Sequence, residues 1–135
     1  MRTLSLLLIL LVLGLVACGN QADAGDASIP DPSSVGNPDV GRQIFNEWHG
    51  NAPACATCHT TDGTVSVGPS LKGIASRAGS QVDSLDAVDY LHESIVDPNA
   101  FIANGQNVSV MYKNFEEALT GEQIQDLIAY LLTLE

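Results

Sequence analysis

Basic residues are scarce in this chain of 135 residues. It has 5 lysines and arginines against 16 aspartates and glutamates, which gives a formal net charge of −11 at pH 7. Because nucleic acids and anionic lipid headgroups repel such a surface, electrostatic binding to either is excluded as a main function. The same charge favours protein partners that present basic patches.

Sulfur-containing side chains are also few, with three cysteines and two methionines. This count excludes an iron–sulfur cluster held by four cysteines. Zinc needs four ligands, and beyond Cys55 and Cys58 the chain offers only three scattered histidines. A thioredoxin-like centre needs a βαβ context, whereas no convincing alternating strand pattern is present. A disulfide between Cys55 and Cys58 stays open.

The one long apolar run lies at the N terminus. Residues 4–16 carry no charge and follow a single arginine, which is typical of a signal peptide and too short for a membrane span of about 20 residues. The run closes on Leu-Val-Ala-Cys-Gly, which resembles the lipobox of bacterial lipoproteins. That resemblance implies a signal peptide over 1–17, a lipid on Cys18, and a membrane-anchored protein outside the cytoplasm, as in a periplasm. An ordinary secretory signal is the alternative.

Residues 18–37 are predicted to form a lipidated flexible linker. The stretch is rich in Gly, Asp, Ser, Pro and Ala and has no apolar period. About 20 residues of this kind span ~25 Å. One domain remains, over residues 38–135. Its aromatic side chains are few, which predicts a modest apolar core that a bulky buried cofactor would complete.

The domain is predicted to be all-α. Asn37 suits a helix N-cap and Pro38 the first helical position, while Thr120 and Gln123 form a capping-box signature ahead of a helical apolar period. Long loops separate the helices, and loops of that length in a compact domain are usually functional. The predicted helices cover residues 38–49, 86–96, 121–134 and, as a short element, 70–77.

Residues 55–59 read Cys-Ala-Thr-Cys-His. In this spacing two thiols can add across the two vinyl groups of one haem, and the adjoining histidine can coordinate the iron. Cys55 and Cys58 are therefore predicted to attach haem covalently, with His59 as an axial ligand. Met1 leaves with the signal peptide, so Met111 is the remaining thioether and the predicted second axial ligand. A loop methionine that fills a gap is the alternative.

With these residues, 38–135 resembles the class I c-type cytochromes, which are small monohaem electron carriers. The resemblance rests on a helix with Gly41 and Phe45 before the motif, a Gly68-Pro69-x-Leu71 segment after it, and a methionine loop leading into a final helix with Tyr130. The chain is most similar to cytochrome domains associated with respiratory oxidases. This implies a cytochrome c fold of three to five helices with long loops around one haem c.

The resemblance also implies which residues surround the iron ligands. The carbonyl of Pro69 would accept a hydrogen bond from His59, and Arg77 would pair with a haem propionate, with a solvated arginine as the alternative. Trp48 is assigned to packing. The chain departs from the family at Tyr112, because relatives usually have proline directly after the ligand methionine.

The predicted function is single-electron transport within a respiratory or photosynthetic chain, without catalysis, because ligation on both faces leaves the iron no open site. The predicted partners are redox proteins with basic docking surfaces, such as a terminal oxidase or a quinol-oxidising complex. Two other classes stay open. One is a haem enzyme or gas sensor in which Met111 is displaced, and the other is a haem-free lipoprotein with a Cys55–Cys58 disulfide.

Overall fold

The computed structural model describes residues 29–102 and 110–135. Within these ranges the chain forms helices and turns, and its one β-type pairing is an isolated bridge between His49 and Ala52. This confirms the all-α prediction. None of the described helices is long and apolar enough to cross a membrane. The elements are α1 (Pro32–Val35), α2 (Pro38–Asn46), a 3₁₀ turn (Cys55–Thr57), α3 (Ile74–Ala78), α4 (Ala87–Val96), α5 (Phe115–Ala118) and α6 (Gly121–Leu131).

The predicted helices lie close to where the sequence places them, and the differences are at their ends. Helix α2 stops at Asn46 because the next residue is extended, with φ −115° and ψ 154°. Helix α3 starts at Ile74 rather than 70, since Gly73 before it adopts the left-handed conformation with φ 69°. The capping box of α6 is present, with the side chains of Thr120 and Gln123 each bonded to the other's backbone N–H.

Helix α1 lies inside the stretch that composition assigns to the linker. The side chain of Asp31 accepts a hydrogen bond from the backbone N–H of Ser33 at 2.9 Å, and Pro32 occupies the first helical position. These are ordinary helix-start signals, but a helix of one turn has no apolar period by which to recognise it. Residues 1–28, with the predicted signal peptide, Cys18 and the rest of the linker, lie outside the described residues.

The segment after α1 is attached to α6, so the packed unit extends to the N-terminal side of residue 38. The backbone N–H of Asn37 donates to a carboxylate oxygen of Asp126 at 2.7 Å. A Cβ added to Gly36 would lie 2.8 Å from the backbone nitrogen of Asp126, which is overlap rather than contact. Asp126 is the one charged side chain that is buried among the described residues, and this bond explains its burial.

Helices α2 and α6 make the most extensive contact of any two described elements. At Gly41 they approach so closely that an added Cβ would lie 1.9 Å from the carbonyl oxygen of Asp126. Beside this point the rings of Phe45 and Tyr130 pack with centroids 5.4 Å apart. Leu127 and Leu131 of α6 face away from the crossing, and together with Leu91 and Ile95 of α4 they line a cavity.

Candidate functional site

The cavity lies between α4, α6 and the two long loops, and its lining is predominantly apolar. No lysine, arginine, aspartate or glutamate of the described residues contributes to it. The large apolar side chains in the lining include Phe45, Leu91, Ile95, Phe115, Leu127 and Leu131. A site of this kind suits a flat apolar ligand and excludes water from its interior.

Four residues that the sequence singles out share this cavity. Cys55, Cys58 and His59 contribute from one loop and Met111 from another, and all four are partly buried. Separate elements of the fold therefore bring together two thiols, an imidazole and a thioether. Residues 103–109, which precede Met111, lie outside the described part of the chain.

The Cys-x-x-Cys-His motif forms a tight turn. The backbone N–H groups of Cys58 and His59 both donate to the carbonyl of Cys55, at 3.1 Å and 2.9 Å. In a 3₁₀ turn the side chains of residues i and i+3 lie on the same side, so both thiols point into the cavity. Both cysteines are free, and burial raises the pKa of the Cys55 thiol to about 11. A thiol redox centre needs a lowered pKa instead, which disfavours that use of the motif.

The orientation of His59 is fixed by the carbonyl of Pro69. Its Nδ1 lies 2.9 Å from that oxygen. Because a carbonyl only accepts hydrogen bonds, Nδ1 carries the proton and donates it. The lone pair is then left on Nε2, which is the arrangement that a histidine needs to bind a metal. The Pro69 carbonyl thus occupies the position that the family resemblance implies.

Gly68 makes this orientation of His59 possible. The sequence alone did not show that Gly68 contacts the imidazole. Its N–H donates to the carbonyl of Cys58 at 2.8 Å, which brings the backbone of this segment against the imidazole of His59. A Cβ at Gly68 would lie 2.6 Å from Cε1 and 2.9 Å from Nδ1 of that ring. Glycine is needed here because the backbone lies against the imidazole ring. A single sequence does not distinguish a glycine required for such close approach from a glycine required for a turn.

Arg77 does not line the cavity. Its guanidinium donates to the backbone carbonyls of Ser70, at 2.8 Å, and Lys72, and so braces the turn that leads into α3. A propionate contact for Arg77 stays a prediction. Trp48, for which the sequence predicts packing, is instead 65% exposed and lies beyond the end of α2, after the extended Glu47. That assignment was wrong.

Several residues of α4 and of the segment after it line the cavity, although they were not predicted from the sequence as site residues. Tyr90 and Ser94 lie one turn apart in α4, next to Leu91 and Ile95, which the apolar period had placed inward. The ring of Tyr90 meets that of Phe101 edge-on, with centroids 6.0 Å apart. Helical spacing alone could have placed Tyr90 and Ser94 beside the site, whereas Phe101 follows a helix end and carries no such signal.

A family model described as Cytochrome c matches residues 38–135. No match was found among curated proteins. Members of that family bind covalently attached haem c, and the lining fits this group. The two thiols lie on one side of a turn, the lone pair of His59 is free for a metal, and the walls are apolar.

Substitution of Gly68 by alanine should raise the reduction potential of the haem-loaded protein. The methyl group displaces the imidazole of His59 and weakens its bond to Pro69. With His59 bound to the iron as predicted, a less polarised imidazole would stabilise ferric iron less well. A loss of ~1 kcal/mol would correspond to a rise of roughly 40 mV in a redox titration.

Gly63→Ala is the matched control for this substitution. Gly63 lies in the same loop with φ 101°, and its added Cβ would meet only the side chain of Lys72. This variant should lose stability through backbone strain and keep the wild-type potential. Equal potentials in Gly68→Ala and wild type, or equal shifts in both variants, would contradict the role given to Gly68.

Proposed function

We propose that this chain, which belongs to the cytochrome c family, is a membrane-tethered carrier of single electrons outside the cytoplasm. Family membership supports haem-based electron transfer, and members are typically carriers rather than enzymes. The observation that carries the proposal is the shared cavity of Cys55, Cys58, His59 and Met111. The two cysteines would hold the haem covalently, and His59 and Met111 would occupy the two faces of the iron.

Each part of the site has a distinct task in this proposal. When bound, the haem supplies a one-electron iron couple. Hydrogen bonding to Pro69 keeps the imidazole of His59 in one tautomer and raises its basicity. A thioether from Met111 and apolar walls both favour the less charged, reduced state and so raise the potential. With both faces taken, no open position remains for a substrate at the iron.

The cavity reaches the surface beside exposed valines. Val67 and Val110 line the cavity and are 63% and 55% exposed, and Val65 in the same loop is 81% exposed. We refer to Val65, Val67 and Val110 as the valine rim. An apolar opening of this kind allows a partner to approach the haem edge without displacing charged, hydrated groups.

The partner is proposed to be a basic redox protein, such as a terminal oxidase or a quinol-oxidising complex. The net charge of −11 supports this. Electron exchange with a cationic redox protein should slow by roughly tenfold as salt is raised from low to physiological concentrations. Stopped-flow rates at a series of ionic strengths measure this, and an anionic partner is the control. Rates that rise with salt for the cationic partner would contradict the proposal.

Replacing Met111 by alanine tests the proposed iron ligation. The oxidised wild-type protein should show the Met-to-iron charge-transfer band at the near-infrared edge of its visible spectrum. The variant should lose the band, and its potential should fall by on the order of 0.1 V, because axial ligands span ~0.8 V.

The matched control for this test is Lys113→Ala. Lys113 is exposed two residues after Met111, so its removal should leave the band unchanged. A wild-type protein that lacks the band and readily binds carbon monoxide would favour the enzyme or gas-sensor alternative.

The tether is proposed to be a lipid on Cys18, supported by the apolar run of residues 4–16 that ends beside it. Because Ile29 already packs against the hydrophobic core, the linker between Cys18 and the packed domain would be about 10 residues, which would span ~17 Å and keep the domain near the membrane. Cys18→Ala should move the haem protein from the membrane to the soluble fraction on cell fractionation. Membrane retention of that variant would count against the tether.

A further inference from the structure

Tyr112, the residue that follows Met111, lines two separate cavities. One is the haem cavity, and the other is a more polar pocket whose lining includes His49, Asn51 and Glu117. Tyr112 is partly buried and contributes to the lining of both. Any movement of Met111 out of the haem cavity must therefore carry along a side chain with contacts of its own.

On one side, Tyr112 is held by an aromatic contact. Its ring meets that of Phe115 edge-on, with centroids 5.1 Å apart and planes at 74°. Phe115 is 5% exposed, begins α5 and belongs to the main hydrophobic core. Such ring pairs stabilise by more than their buried area alone, so the contact links the end of the methionine loop to a fixed element.

On the other side lies an unusual histidine. The Nε2 atom of His49 is buried and has no hydrogen-bond partner among the described residues. The backbone of His49 is fixed beside this pocket, because it exchanges two hydrogen bonds with the backbone of Ala52, at 3.1 Å and 3.0 Å, and Ala52 is completely buried. A buried ring nitrogen without a partner costs about 1–3 kcal/mol, so native proteins normally supply one.

The hydroxyl of Tyr112 is the group best suited to complete this nitrogen. A phenol can donate to one partner and accept from another, and Tyr112 lines the same pocket as His49. A single water bonded to both, with Asn51 or Glu117 as a further partner, would have the two to four polar contacts that an ordered water needs.

We propose that Tyr112 is the positioning residue for Met111, held by its ring contact with Phe115 and by a water-mediated hydrogen bond to Nε2 of His49. The inference rests on the proposed function, since it assumes that Met111 is an axial ligand. Release of Met111 from the iron then requires Tyr112 to give up both contacts. In the family resemblance a proline restricts the backbone at this position, whereas here side-chain contacts hold the loop.

Displacement of Met111 from the iron by added imidazole measures how strongly Tyr112 stabilises the bound position of Met111. The oxidised haem protein is titrated with imidazole while the Met-to-iron band is followed, which gives an equilibrium constant for ligand replacement. Tyr112→Phe keeps the ring and removes the hydroxyl, and the constant should rise roughly fivefold, the value of one hydrogen bond. Tyr112→Leu also removes the ring contact, and the rise should be larger, on the order of twentyfold.

A double-mutant cycle assigns the hydroxyl effect to His49. His49→Ala alone should match Tyr112→Phe, and the double variant should rise no further than either single one. His49→Gln retains a polar group at the end of its side chain and should stay near wild type. Tyr130→Phe is the control for loss of a tyrosine hydroxyl next to a phenylalanine ring, since Tyr130 packs on Phe45 but lines neither pocket itself, and the constant should stay at the wild-type value.

The outcomes separate this inference from the proposed function. Additive effects of Tyr112→Phe and His49→Ala, or none at all, would overturn the hydrogen bond to His49. An unchanged constant in Tyr112→Leu, with the band present in the wild type, would overturn the positioning role and leave the ligation by Met111 standing. A wild-type protein without the band would overturn both.

Discussion

The close approach of α2 and α6 at Gly41 determines where the rest of the molecule can lie. An added Cβ there would overlap the backbone of α6, so the two helices cross at a separation that only glycine permits at this position. The crossing fixes the end of α2, from which the chain runs into the Cys-x-x-Cys-His turn. It also points Leu127 and Leu131 of α6 into the cavity. The position of the site therefore depends on the crossing of α2 and α6.

The two sides of the proposed iron site are held in different ways. On the His59 side, backbone hydrogen bonds and the close approach of Gly68 restrict the imidazole to one position. On the Met111 side, the restraints among the described residues are the packing of Met111 against the hydrophobic core and the ring contact of its neighbour Tyr112 with Phe115. Backbone hydrogen bonds hold the His59 segment rigidly, whereas side-chain contacts can be lost when one side chain rotates away. The methionine side is accordingly the part of the site from which exchange of ligands would begin.

Much of this arrangement could be predicted from the sequence, because its strongest signals are periodic or chemical. The apolar periods of α4 and α6 and the Asn-Pro start of α2 predicted three helices, and the Cys-x-x-Cys-His spacing predicted the haem site. Single-turn helices such as α1 and α5 gave no period to recognise. The contact between Gly36 and α6 joins segments far apart in the chain, so it is set by the tertiary fold and left no local trace. The contacts of Gly68 with His59 and of Arg77 with the carbonyl of Ser70 are nearer in sequence, but they depend on the path of an irregular loop, which no periodic pattern encodes.

The central claim is that Cys55 and Cys58 bind haem covalently, and a denaturing gel stained for haem-dependent peroxidase activity tests it most directly. The protein is isolated from cells able to attach haem to exported proteins, fully denatured and reduced before electrophoresis. Haem stain should stay with the chain in the wild type and be absent when both cysteines are replaced by serine. Loss of stain from the denatured wild type would contradict the account and favour a haem-free protein with a Cys55–Cys58 disulfide.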